Sequence, residues 1–282
     1  MKGIIPGIPS GRASAFIPTA VLFFLCSLPA FLLIREVTFE KIHEQRVKFT
    51  EAFNRLRENL KQARQYKGAF RFLVSNYFFE DAVVTVIIFM ALYAERVVGF
   101  TDRVKIELFV VATLAAAIGS VVSGKVSDKL GARRTFKIII IGWIIVLLAI
   151  SVIVYKPLFW IAACFVGIFL GSTWTVARPL LNSLVPDNRL GLFYGLYALS
   201  GRTAAVIGPL IWGLIVLIFK QDNIIVKFLV SQLTGFGIDI SDTTLASIQY
   251  RFAVIALAVL MMIGLFIYRK IPDTHQSIYS NQ

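Results

Sequence analysis

Four charged side chains interrupt long apolar stretches of this sequence, and they are the first candidates for chemistry. Glu80 and Asp81 are adjacent, Arg178 lies near the end of one stretch, and Arg202 lies deep inside another. A charge within a membrane span is unfavourable, so each such residue is a functional hypothesis. A carboxyl there can carry a proton or balance a cationic substrate, whereas a guanidinium can bind a substrate carboxylate or an internal acid.

Each of these charges also has a structural interpretation. Asp81 and Arg202 can form an internal ion pair, with each other or within the bundle, and Arg178 can reach the headgroups, pair with an acid or serve a gating role. Adjacent helical residues point about 100° apart, so only one of Glu80 and Asp81 is expected to face a cavity.

Polar and aromatic neighbours can add hydrogen bonds and stacking, although each is also an ordinary helix-packing residue: Asn76, Tyr77, Thr85, Trp174, Tyr194 and Tyr197. No G-x-S-x-G, HExxH, P-loop or Cys–His pair occurs, so neither an enzyme nor a cofactor is expected. The two cysteines and two histidines offer too few ligands to predict a metal site.

The elements that must position these residues are membrane helices. The chain is 57% hydrophobic and 16% charged, whereas soluble domains carry roughly a quarter charged residues. Seven apolar stretches are long enough to span a bilayer: 15–34, 70–93, 106–124, 137–155, 157–180, 191–219 and 251–268. The sequence therefore predicts an all-α, polytopic membrane helix bundle. The net charge of +13 lies mostly between these stretches, as the positive-inside rule requires, and does not indicate nucleic-acid binding.

The segment 35–69 is rich in charge. Phe49, Phe53, Leu56 and Leu60 recur at helical spacing, which predicts an amphipathic helix on the cytoplasmic surface or against the bundle. A solvated linker is the alternative. With 35–69 cytoplasmic, the basic segments 125–136 and 181–190 and the C-terminus lie on the same side.

A polar motif between two predicted spans resembles the loop pattern G-x-x-x-D-x-x-G-R-[KR] of the major facilitator superfamily. It runs from Gly124 through Asp128 and Gly131 to Arg133 and Arg134, with one residue more before the basic pair. Glycines allow close helix approach and a sharp turn, and the charges can engage helix ends and headgroups. The interpretation is a conformational latch in a short loop, not a substrate site.

A second stretch, 171–213, resembles the vacuole effluxer, or autophagy-related, branch of that superfamily. The matching residues are Arg178, Val185-Pro186, Phe193 to Tyr197, Ser200-Gly201-Arg202 and Gly208-Pro209. The stretch 72–93 resembles the seventh helix of the family, with Glu80-Asp81-Ala82 where N-D-G is usual, and this favours Asp81 over Glu80. Trp174 replaces the usual glutamine, so polar groups that could touch a substrate are lost.

The resemblance implies one helix followed by a six-helix C-terminal transporter bundle. Residues 1–34 would be the last helix of an N-terminal bundle, 35–69 the cytoplasmic central loop, and 70–282 the C-terminal bundle. The implied function is secondary active transport of small solutes by alternating access, including efflux of amino acids or similar metabolites. The alternative is a truncated, non-transporting membrane protein that pairs with a separate half or partner.

The expected partners are the lipid bilayer, a small-molecule substrate, and an N-terminal half or a second copy of the chain. The expected location is the plasma or inner membrane, or the vacuolar membrane in a eukaryote, with the C-terminus cytoplasmic.

Overall fold

A computed structural model describes residues 16–33, 49–220 and 242–271, which fold as α-helices joined by short links. The chain divides into two compact units, residues 1–52 and 53–282. The helices of the described residues are α1 (Phe16–Leu33), α2 (Phe49–Ala63), α3 (Lys67–Arg96), α4 (Asp102–Leu130), α5 (Ala132–Val152), α6 (Lys156–Leu184), α7 (Leu190–Ile218) and α8 (Asp242–Arg269).

All of these helices except α2 are long and apolar enough to cross a membrane, by length and composition. In the first unit, α1 carries Pro29 within its span, and its described side chains are mostly exposed. In the second unit, α3 to α8 supply six spans. The predicted all-α class and the seven spans are confirmed.

The prediction of a loop over 125–136 is wrong. Helix α4 continues to Leu130, α5 begins at Ala132, and Gly131 alone makes the turn with φ of 83°. With 29 residues, α4 is about 44 Å long at 1.5 Å per residue, which exceeds a hydrocarbon core of about 30 Å. The polar residues predicted to form a loop are therefore the last turns of a helix that reaches beyond the hydrocarbon. A side chain at Gly131 would be strained by the positive φ.

The predicted amphipathic helix is present as α2. Leu56 of this helix packs half-buried against the core of the second unit. A short turn at 64–66 then leads into α3. Residues 34–48, the first part of the predicted central segment, lie outside the described residues.

Helix α3 forms the centre of the second unit, packs closely against α7 and α8, and reaches α5 through its side chains. Its Phe72 and Phe79 meet the ring of Phe136 on α5 edge-on. Ser75 donates a 2.8 Å hydrogen bond to the Gly264 carbonyl of α8. This central position places the acidic pair of α3 inside the bundle.

Helices α4 and α6 pack backbone to backbone. Gly167 and Gly171 of α6 lie against the backbones of Ala112 and Ala116, and Gly119 of α4 lies against the backbone of Ile168, with no room for a Cβ atom at any of the three glycines. Small residues at this spacing let membrane helices approach closely. The two helices therefore form one continuous wall.

Side chains from neighbouring helices satisfy the free carbonyls at two helix ends. At the end of α5, Tyr93 donates to the Ile150 carbonyl at 2.7 Å and Arg251 donates to the Ser151 carbonyl at 2.6 Å. Directly after α8, Arg71 donates to the Lys270 carbonyl. Arg133 donates to the Ile271 carbonyl there as well. Helices α3, α5 and α8 are thus tied together at both ends.

Candidate functional site

A cavity of about 860 Å³ opens between α3, α4 and α6, with α5 behind it. We call it the groove. Its α6 wall is one face of the helix at i, i+3, i+4 spacing from Ala163 to Pro179, opposite a face of α4 from Leu108 to Ser120. Val86, Ile87 and Met90 of α3 close a third side. The groove has the size of an ordinary small-molecule site.

Glu80 lies next to the groove, behind Trp174. Its carboxylate accepts a 3.5 Å hydrogen bond from the Tyr197 hydroxyl, and the Trp174 side chain lies close to it. Glu80 is 8% exposed, whereas Trp174 is 47% exposed and lines the groove. The acid is therefore held by α6 and α7, one side chain away from the cavity.

Asp81 points to a different neighbour. Its Oδ1 accepts a 2.6 Å hydrogen bond from the backbone N–H of Gly208 on α7. Pro209 follows, and a proline inside a helix removes a backbone donor and bends the chain. A Cβ atom at Gly208 would collide with Thr85 and Asp81. Asp81 thus ties α3 to the backbone of α7 directly before Pro209, and glycine is required for this close approach.

The two arginines of the spans occupy different environments. Arg178 is exposed and lines the groove near the end of α6. Arg202 is exposed on α7 and does not line the groove. Within the described part of the chain, no carboxylate lies within 4 Å of either guanidinium, so the alternative pairing of Arg202 with Asp81 is not formed.

The remaining candidates surround α3 and α7. Thr85 donates to the Asp81 carbonyl at 2.7 Å, and Tyr194 bonds to Asn182 at 2.7 Å. Tyr77 lines a smaller recess between α3 and α7. Asn76 is fully buried, and neither its amide nitrogen nor its amide oxygen has a partner among the described residues. Of the predicted pathway residues, Trp174 and Arg178 line the groove.

The predicted latch residues lie at one end of the second unit. Arg133 reaches across to the carbonyl of Ile271, and the Tyr268 hydroxyl donates to the Arg133 carbonyl at 2.9 Å. Asp128 and Arg134 are exposed, and Gly124 is half-buried. The motif joins α4 and α5 to the end of α8.

Sequence reasoning from charges missed the walls of the groove, which are mostly small and apolar. A signal was present, because Gly167, Gly171, Ala112 and Ala116 recur at i, i+4 spacing. That pattern predicts close helix packing, but it does not by itself reveal a cavity beside the contact.

Among known proteins, the family described as "Vacuole effluxer Atg22 like" matches residues 12–232. An uncharacterized MFS-type transporter, YxiO of Bacillus subtilis, is 26% identical over 231 residues, which are 82% of this chain and 47% of that protein. Autophagy-related protein 22 of Kluyveromyces lactis is 27% identical over 70% of this chain and 45% of its own length. The chain spans about half the length of these relatives.

A solved structure shares the fold. It is a bacterial homologue of the human lysosomal transporter Spinster, in an inward-facing, unoccupied conformation. The TM-score is 0.56 at 19% identity, over 98% of this chain and 63% of that one. The six-span unit therefore has the major facilitator architecture, and the chain is a multi-pass membrane protein surrounded by lipid.

Proposed function

We propose that this chain, which belongs to the vacuole effluxer Atg22-like family, moves small solutes across its membrane by alternating access. The family and the fold are those of major facilitator transporters, and such transporters are generally not enzymes. The observation that carries the proposal is the groove, because a buried acid, Glu80, contacts the groove-lining Trp174. Substrates of the amino-acid or metabolite class fit the effluxer relationship.

Within this proposal, Glu80 is the carboxyl that exchanges protons with the transport path. The groups that face it are Trp174 from α6 and Tyr197 from α7, with Arg178 acting on Tyr197. Asp81 has the separate role of tying α3 to α7 through Gly208. The sequence favoured Asp81 for proton transfer, whereas the contacts of the two side chains favour Glu80.

Alternating access needs two bundles around a central site. We propose that residues 70–282 form one bundle, that 1–34 supply the last helix of the other, and that 35–69 is the cytoplasmic segment between them. The second bundle would cover the apolar faces that α4 and α7 expose. It would come from a separate N-terminal half or a second copy of this chain. The basic ends of the helices support a cytoplasmic C-terminus.

The test is flux into proteoliposomes that contain the full chain. Radiolabelled leucine, lysine and glutamate serve as apolar, cationic and anionic amino-acid probes, with and without a pH gradient. We expect uptake of at least one probe to depend on the gradient. Glu80→Gln should remove that dependence, whereas Asp81→Asn should lower flux by a similar factor at every pH.

The opposite pattern, in which Asp81→Asn alone removes the pH dependence, would reassign the proton to Asp81. No flux of any probe by folded, inserted protein would overturn transport by this chain. It would favour the alternative of a non-transporting membrane protein that pairs with a separate half.

A further inference from the structure

The groove is long, apolar and continuous. Along α6 its lining residues run from Ala163 to beyond Arg178, and fifteen residues at 1.5 Å each extend about 22 Å. Its middle is lined by leucine, valine, glycine and alanine side chains and by the ring of Trp174. A ligand that fills this length must be mainly apolar, because an unpaired polar group placed there would lose its hydrogen bonds to water.

The hydroxyls in the wall already have acceptors. Thr113 donates to the Phe109 carbonyl, Ser120 to the Ala117 carbonyl and Thr175 to the Gly171 carbonyl, at 2.7 to 2.9 Å. Each of these bonds lies within the hydroxyl's own helix. None of these three donors is therefore left for a ligand unless an internal bond breaks.

Arg178 differs from the other polar groups of the groove. It is exposed and makes no hydrogen bond or ion pair to any residue that the structure describes. A guanidinium presents five donors in a plane that matches a carboxylate or phosphate. It lies toward one end of the groove, so it can hold an anionic head while an apolar body lies along α6.

We infer that the groove binds a monoanionic amphiphile, a molecule with one carboxylate or phosphate at Arg178 and an extended hydrocarbon body along α4 and α6. The inference rests on the proposed function, since it names the substrate class of the same site. A free amino acid fits the groove less well, because no carboxylate of the described residues lines the wall to pair with its ammonium group, and Glu80 is only 8% exposed.

The test is binding, without transport, by the full chain in nanodiscs of phosphatidylcholine. The probe is a brominated dodecanoate, whose bromine quenches nearby tryptophan fluorescence, with brominated dodecanol as the uncharged match. We expect saturable quenching by the acid and weak, linear quenching by the alcohol. Trp143 also lines the groove, so Trp174→Phe in a Trp143→Phe background should remove most of the saturable signal. Trp212→Phe should not, because Trp212 is buried against Phe89 on the other side of α3 and α7 and does not line the groove.

Arg178→Gln should weaken dodecanoate binding about tenfold or more, since a charged hydrogen bond contributes roughly 1.5–3 kcal/mol and 1.4 kcal/mol corresponds to tenfold. Arg178→Lys should retain part of the affinity. Arg202→Gln tests the competing arginine, and a loss confined to that variant would overturn the assignment.

Two other outcomes would also overturn the inference. They are equal affinity for the acid and the alcohol, and saturable binding of leucine in place of dodecanoate. Competition by phosphatidylglycerol, when that lipid is added to the nanodisc, would support the inference and identify a lipid as the source of the anionic amphiphile. Leucine flux with no dodecanoate binding would sink this inference and leave transport standing. Dodecanoate binding without flux of any probe would support this inference and overturn transport.

Discussion

Two sets of helices in the second unit are held together in different ways. Helices α3, α5 and α8 are tied at their ends by side chains that reach the free carbonyls of a neighbour. Helices α4 and α6 are joined along their length by backbone contact at glycines. Burial follows the division only in part: 56% of the α3 and α5 spans lies inside the bundle against 17% of the α4 span, whereas α8 at 33% and α6 at 39% are similar.

This difference separates a set of helices held at their ends from the two helices that line most of the groove. End ties fix the relative heights of α3, α5 and α8, so the aromatic core around Phe136 can pack in one arrangement. The α4–α6 contact is just as close, but it leaves one face of both helices open to the groove. The α4–α6 packing suits a transport path, because the walls of such a path need few side-chain bonds to neighbouring helices.

The largest expected effect on stability comes from a substitution at the α4–α6 contact. Gly171→Ala places a methyl group against the Ala116 backbone, and overpacking of this kind is destabilising by about 1–3 kcal/mol. The matched control is Gly213→Ala on α7, where a Cβ atom meets nothing within 4 Å. There the gain in helix propensity should leave stability unchanged or higher.

Equilibrium unfolding in mixed detergent and sodium dodecyl sulfate measures both variants. Equal stability of the two would mean that α4 and α6 can separate without loss, and the backbone contact would then not be what holds the wall.

Removing one of the hydrogen bonds at the helix ends should have a smaller effect on stability. Tyr93→Phe keeps the ring that stacks on Phe159 and removes the hydroxyl bonded to the Ile150 carbonyl. A loss of about 1 kcal/mol is expected, since membrane hydrogen bonds contribute roughly that much. Tyr155→Phe is the control, because Tyr155 is 70% exposed. The same unfolding measurement applies, and a change in Tyr155→Phe as large as in Tyr93→Phe would remove the case for a specific tie.

Much of the fold followed from the sequence, because an apolar run of about 20 residues is enough to predict a span. The polar residues between 125 and 130 led to the prediction of a loop, but this segment is the end of a helix that extends beyond the hydrocarbon. The residues of the site were harder to assign. The charges of Glu80 and Asp81 drew attention to a buried turn of α3, but the partners of these two side chains depend on tertiary contacts. Asp81 meets a backbone N–H that lies 127 residues away, and no local pattern predicts such a bond.

The smallest expected effect on stability comes from removing a single side-chain hydroxyl, either in the core or in the groove wall. Ser172 is buried and bonds both to the Ile168 carbonyl of its own helix and, at 3.1 Å, to the Gly119 carbonyl of α4. Thr175 lines the groove and bonds to its own helix alone, at the Gly171 carbonyl. Ser172→Ala should therefore lower stability by about 0.6 kcal/mol, the average for an interhelical bond.

Thr175→Val keeps the shape of its side chain and gives up a bond within one helix, so its effect should be near zero. The two variants differ in whether the lost hydroxyl joins α4 to α6, and detergent unfolding at matched protein concentration compares them. A greater loss of stability in Thr175→Val than in Ser172→Ala would show that the groove wall depends on its hydroxyls. The groove would then be part of the tied core, with polar donors that a bound ligand could compete for.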